Sequence, residues 1–135
     1  MKVLVDTSAW VDHINAHESS AARSLAGLLA GDDDVCTCGV IVAEVLQGLR
    51  RPSSYRRVRD GFEDLTFLEP PGIQLYVRTA EVYRKLRKRG VTVRSTIDCL
   101  IAVIAEANGC HLLHRDADLQ RIAESGVVDL PAWRG

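Results

Sequence analysis

The segment Thr96–Asn108, TIDCLIAVIAEAN, constrains this chain more than any other. Its composition is helical, yet Cys99, Leu100, Ile101, Ala102, Val103, Ile104 and Ala105 leave it no polar face. A helix apolar nearly all round has to be central and buried, which demands other layers of structure around it. A chain of 135 residues, with 47% apolar and 26% charged residues, is long enough to supply them within one domain.

Short apolar runs alternate with segments of helical period along the rest of the chain. Lys2–Val5, Val35–Cys38, Leu65–Leu68 and the Leu112-Leu113 pair within His111–His114 read as strands, and Val127–Leu130 as a last short one. Helices are expected from Ser8, as cap, to Asn15, and over Ser19–Ala30, Val40–Arg50 (stopped by Pro52) and Tyr55–Asp64. Ile73, Tyr76, Val77, Ala80, Tyr83 and Leu86 recur with helical period up to Gly90, which places Tyr76 and Tyr83 in the core. Thr96–Asn108 ends at Gly109, and Ala117–Glu124 forms a final helix. The alternation predicts an α/β fold: a single domain over residues 1–135 with a mainly parallel central sheet flanked by helices on both faces.

No apolar stretch reaches the length of a membrane span, and no signal peptide is evident, so a cytoplasmic protein is expected. Cys36, Cys38, Cys99 and Cys110 are expected as buried, reduced thiols; the spacing of Cys36 and Cys38 is too tight for the usual zinc knuckle. The net charge of −1 conceals an asymmetry. Residues 50–94 hold 12 Lys/Arg against 5 Asp/Glu, and the remainder holds 5 against 13. A basic surface and a separate acidic site follow from this.

In parallel sheets, sites form outside the carboxyl ends of the strands. Asp6 lies directly after the first strand and Asp116 just after Leu112-Leu113. Asp98 opens the buried helix, and Glu44 sits in GVIVAEVLQGL on a narrow polar strip. Each has an ordinary explanation. Asp6 and Asp116 cap helices, Asp98 completes a capping box with Ser95, and Glu44 faces solvent. All four explanations have to hold at once, however, and this architecture gathers such junctions at one sheet edge. Two carboxylates about 4 Å apart repel by roughly 4 kcal/mol at an effective dielectric near 20. A cluster therefore raises pKa values or takes a cation, and oxygen-only ligands suit Mg²⁺ or Mn²⁺. Such ions assist attack on a phosphate ester.

The stretches VLVDTSAWVD, VIVAEVLQGLRR and STIDCLIAVIAEANGCHLLHRDADLQRIA resemble the PIN-domain ribonucleases, most closely the VapC toxins of bacterial toxin–antitoxin pairs. The resemblance spans essentially the whole chain. It implies a metal-dependent endoribonuclease whose catalytic acids are Asp6, Glu44, Asp98 and Asp116. Asp6, Asp98 and Asp116 would bind Mg²⁺ or Mn²⁺, and Ser8 would contact water or metal beside Asp6. It also implies an RNA substrate, a VapB-like antitoxin that inhibits the enzyme, and a homodimer. His114 and Leu119 stand where the family's last motif usually has Thr and Phe.

Arg50, Arg51, Arg56, Arg57 and Arg59, and Arg84, Lys85, Arg87, Lys88 and Arg89, form two basic groups suited to RNA phosphates or to an acidic antitoxin. The main rival is a catalytically silent PIN-like interaction protein whose acids serve only as helix caps. A phosphotransferase with an aspartyl nucleophile is disfavoured, because Ser8 occupies the place of its second Asp.

Overall fold

In the computed structural model, which describes residues 1–132, four strands and seven helices alternate. They are β1 (Lys2–Val5), α1 (Thr7–Ile14), α2 (Ser20–Ala30), β2 (Asp34–Cys38), α3 (Gly39–Gln47), α4 (Pro52–Glu63), β3 (Thr66–Leu68), α5 (Gln74–Lys88), α6 (Thr96–Ala107), β4 (His111–Leu113) and α7 (Ala117–Ser125).

All strand pairs are parallel, in the order β3-β2-β1-β4. Leu4 lies between Cys36 and Leu112, and Val3 between Val35 and His111. The chain first steps outward from β1 to β2 to β3, then crosses back over the sheet to β4. Helices α1 to α4 pack on one another as one group, and α5, α6 and α7 as a second; right-handed crossovers place two such groups on opposite faces of a parallel sheet. The strand order reverses at β1, so the crevice between the tips of β1 and β4 is the topological switch point.

Val3, Leu4 and Val5 are fully buried, as befits a central strand covered on both faces. Every residue from Cys99 to Ala105 is buried too, so α6 is the central helix that its composition demands. Gly109, at φ +63°, makes the left-handed turn from α6 into β4, a conformation costly for side chains other than glycine. All four cysteines are buried and free.

Five expectations about local structure are corrected. Helix α1 is capped by Asp6 rather than Ser8, and α4 begins at Pro52, whose missing N–H costs nothing at a helix start. Helix α3 ends at Gln47, short of Arg50. Helix α5 buries Leu75, Thr79, Val82 and Leu86, leaving Tyr76 60% and Ile73 70% exposed and Tyr83 half-buried. Thr79 fits that core because its hydroxyl donates to the Leu75 carbonyl at 2.8 Å. The last expected strand does not form. Val127 and Val128 are buried, but Arg78 donates to the Val127 carbonyl and Glu106 accepts from the Asp129 N–H. Side chains thus take backbone groups that a sheet ladder would need.

Candidate metal centre at the strand tips

Asp6 is held where β1 ends. Its N–H donates to the Leu113 carbonyl at 2.9 Å, continuing the β1–β4 ladder to the strand tip. Its Oδ2 accepts from the Ser8 N–H at 3.1 Å and the Ser8 hydroxyl at 2.6 Å, which caps α1. Asp6 is buried, only 5% of the residue being exposed. The Ser8 hydroxyl also accepts from the Arg115 N–H at 2.9 Å, so one oxygen ties the β1 tip to the loop leaving β4.

Asp116 caps α7 in the same manner, its Oδ2 accepting from the Leu119 N–H at 2.9 Å. Both acids therefore use Oδ2 for the cap. Asp98 makes no cap. Ser95 accepts from the Ile97 N–H at 3.1 Å, and the expected Ser95–Asp98 capping box is not formed. The Asp98 carboxylate is left to face its neighbours. One oxygen each from Asp98, Asp116 and Asp118 lies within 4.8 Å of the others.

Burial, followed by the charges of Asp116, Asp6, Asp118 and Glu44, pushes the Asp98 carboxyl up to about 6. All four acids named from the sequence are thus electrostatically coupled. Glu44 is the outermost: it is exposed and accepts from the Thr7 hydroxyl at 3.0 Å. Among the described residues no ion pair reaches Asp6, Glu44, Asp98 or Asp116.

Asp118 differs. It is 1% exposed, and its Oδ2 accepts from Arg94 N at 3.2 Å and Arg94 Nε at 3.1 Å, while Arg121 donates to Oδ1. The two arginines and the Arg94 N–H hold its pKa below the usual carboxylate value against the cost of burial. Sequence reasoning did not assign Arg94 or Arg121 to the site. Their signal was positional: Arg94 directly precedes the Ser95–Asp98 turn, and Arg121 lies one helical turn after Asp118.

The donor set fits a hard divalent cation. Only oxygen is offered, and burial together with the neighbouring carboxylates raises the Asp98 proton affinity, a cost that a cation would relieve.

A family model described as PIN domain matches residues 3–125. The chain is 35% identical over 133 residues to ribonuclease VapC11 of Mycobacterium tuberculosis, covering 98% of this chain and 99% of the relative. VapC ribonuclease Mb1587 of Mycobacterium bovis shows the same identity and coverage, 35% over 133 residues. VapBC2 from Rickettsia felis, solved on a DNA fragment from its promoter, superposes with a TM-score of 0.70 at 20% identity, covering 99% of this chain and 100% of that one. VapC20 of Mycobacterium tuberculosis, described as a sarcin-ricin loop cleaving toxin, gives a TM-score of 0.63 at 16% identity, covering 97% and 100%. The chain belongs to the PIN-domain family, among its VapC ribonucleases.

Proposed function

We propose that this protein is a Mg²⁺- or Mn²⁺-dependent endoribonuclease that hydrolyses RNA phosphodiester bonds, the toxin of a pair restrained by a VapB-like antitoxin. The observation that carries the reading is the cluster of Asp98, Asp116 and Asp118 oxygens beside the β1/β4 switch point, with the charge of Asp6 acting on Asp98 and, among the described residues, no ion pair to Asp6, Asp98 or Asp116.

Asp6, Asp98 and Asp116 would hold the metal, with Glu44 at the outer rim orienting or deprotonating the attacking water. When bound, the ion polarises a phosphoryl oxygen and acidifies water. The protein's own contribution is preorganisation. The Ser8 hydroxyl fixes Asp6 at 2.6 Å, and the α7 cap fixes Asp116 at 2.9 Å. The electrostatic repulsion retained at Asp98 is relieved when a cation enters.

The VapBC complexes among the structural neighbours support a VapB-like partner. So does an apolar pocket of about 370 Å³ between α1, α2 and α4, lined by Trp10, Ile14, Leu29, Val58 and Phe62. We further propose a homodimer working in the cytoplasm. No helix of the described residues is long and apolar enough to cross a membrane.

The silent-protein alternative draws on the caps that Asp6 and Asp116 do form. Sequencing cellular RNA ends after a brief pulse of expression, with Asp98→Asn as control, decides between them. Metal-dependent new ends that disappear in the variant support the nuclease. Identical end profiles from both proteins sink it.

A further inference from the structure

Three arginines stand around the acidic centre, and they are anchored differently. Arg115 places Nε and Nη2 on the Asp12 carboxylate, away from the cluster. Arg121 reaches Asp118 Oδ1 through Nη2 alone. Arg94 is different. Its backbone N–H and its Nε both donate to Asp118 Oδ2, which fixes the side chain at its root and at its neck. Its terminal nitrogens donate to no described residue, and the side chain is 76% exposed. Asp116 and Asp98 lie close enough for their charges to act on it.

Arg94 and Arg121 share the single charge of Asp118, so together they bring a surplus positive charge to the edge of an acidic cluster. An exposed arginine ordinarily sweeps through many rotamers. Here the Nε anchor holds it, with the free end of a planar fork suited to two oxygens of one phosphate. A polyanion approaching the acids needs such a cation nearby. We propose that Arg94 is a substrate-binding residue that takes a non-bridging phosphate oxygen of the RNA beside the metal centre, with Asp118 as its positioning residue. This assignment rests on the ribonuclease reading and answers a question the sequence leaves open, the division of labour between Asp116 and Asp118.

The test is fluorescence anisotropy of a labelled single-stranded oligoribonucleotide in Ca²⁺, titrated over a salt series, alongside Mn²⁺ calorimetry and steady-state cleavage in Mn²⁺. Arg94→Gln is expected to weaken RNA binding about tenfold and reduce the salt slope by about 0.7, the loss of one phosphate contact on a single strand. KM rises to match, and Mn²⁺ affinity stays within twofold. Arg94→Lys, which preserves the charge beside Asp118, keeps the salt slope and regains only part of the affinity. Unchanged RNA affinity and slope in Arg94→Gln overturn the assignment, as does a loss confined to Mn²⁺ binding. A protein that cuts RNA with the same KM after Arg94→Gln refutes the contact and leaves the nuclease standing. A wild-type protein that binds RNA through Arg94 but never cuts it refutes the nuclease and leaves the contact.

Discussion

Arg115 closes on Asp12 through two hydrogen bonds, Nε to Oδ2 at 2.6 Å and Nη2 to Oδ1 at 3.0 Å. The pair joins the loop before α7 to the middle of α1, and the Asp12 carboxylate is buried beneath it. The Arg115 N–H meets the Ser8 hydroxyl, so residue 115 is clasped to α1 at backbone and side chain alike. Asp116 follows directly and inherits its position relative to Asp6 from that clasp.

Arg115→Ala is therefore expected to lower the urea midpoint, because it strands the buried Asp12 carboxylate with only the Ser19 hydroxyl as side-chain donor among the described residues. Urea titration measures this. The Asp12 pKa is depressed by Arg115, so the pair's contribution is complete above the unfolded value of 3.8 and is lost as pH falls through the lower folded value. The variant's stability should accordingly fall less steeply on acidification. Cleavage should drop further than stability explains, since Asp116 loses its register.

Asp98 carries the opposite sign. Its folded value of about 6 stands above the ordinary 3.8, so the metal-free protein is favoured by Asp98 at low pH and loses that favour as pH rises through 6. Metal-free Asp98→Asn should melt a few degrees higher than wild type at pH 7, with the gap closing near pH 4. Saturating Mn²⁺ should stabilise the wild type alone, and its affinity should weaken below pH 6 as protons compete for Asp98. Thermal melts across this range, with and without Mn²⁺, provide the check.

Asparagine caps a helix about as well as aspartate. Asp6→Asn and Asp116→Asn should therefore keep melting temperatures within a few degrees of wild type. Both should still lose on the order of a hundredfold in cleavage rate, since the charge has gone from the centre. If the acids were caps and nothing more, cleavage in these two variants would match the parent.

Burial pushes Cys36 up to about 12 and Cys99 up to about 11, far above any thiol that reacts readily near neutrality. None of the four buried thiols should modify in the native protein at pH 8 faster than the chain opens. A colorimetric thiol assay should register no rapid phase without denaturant and four equivalents in urea.

The architecture was readable because its signals were strong. Short apolar strands, an unbroken apolar α6 and glycine at 109 all point the same way, and the acids at strand tips follow from the parallel sheet. What escaped had two causes. In α5 the apolar residues cover more than one face, and the choice between them depended on Thr79 satisfying its hydroxyl on Leu75. At the end of the chain, Val127 and Val128 have strand composition, but Arg78 and Glu106, remote in sequence, take the backbone. The site was legible as far as the charges and no further. Position at strand tips and helix starts marked Asp6 and Asp98, whereas the pairing of Arg94 with Asp118 requires the loop before α6 to meet the first turn of α7 across 24 positions.

The central position of β1 has a consequence for synthesis. Its partner on one side, β2, emerges from the ribosome early, but its other neighbour is His111–Leu113. The acids at 98 and 116 also lie in the last third of the chain. A growing polypeptide cannot assemble the pocket until residue 116 has been translated, so the cutting edge is absent from every shorter nascent fragment.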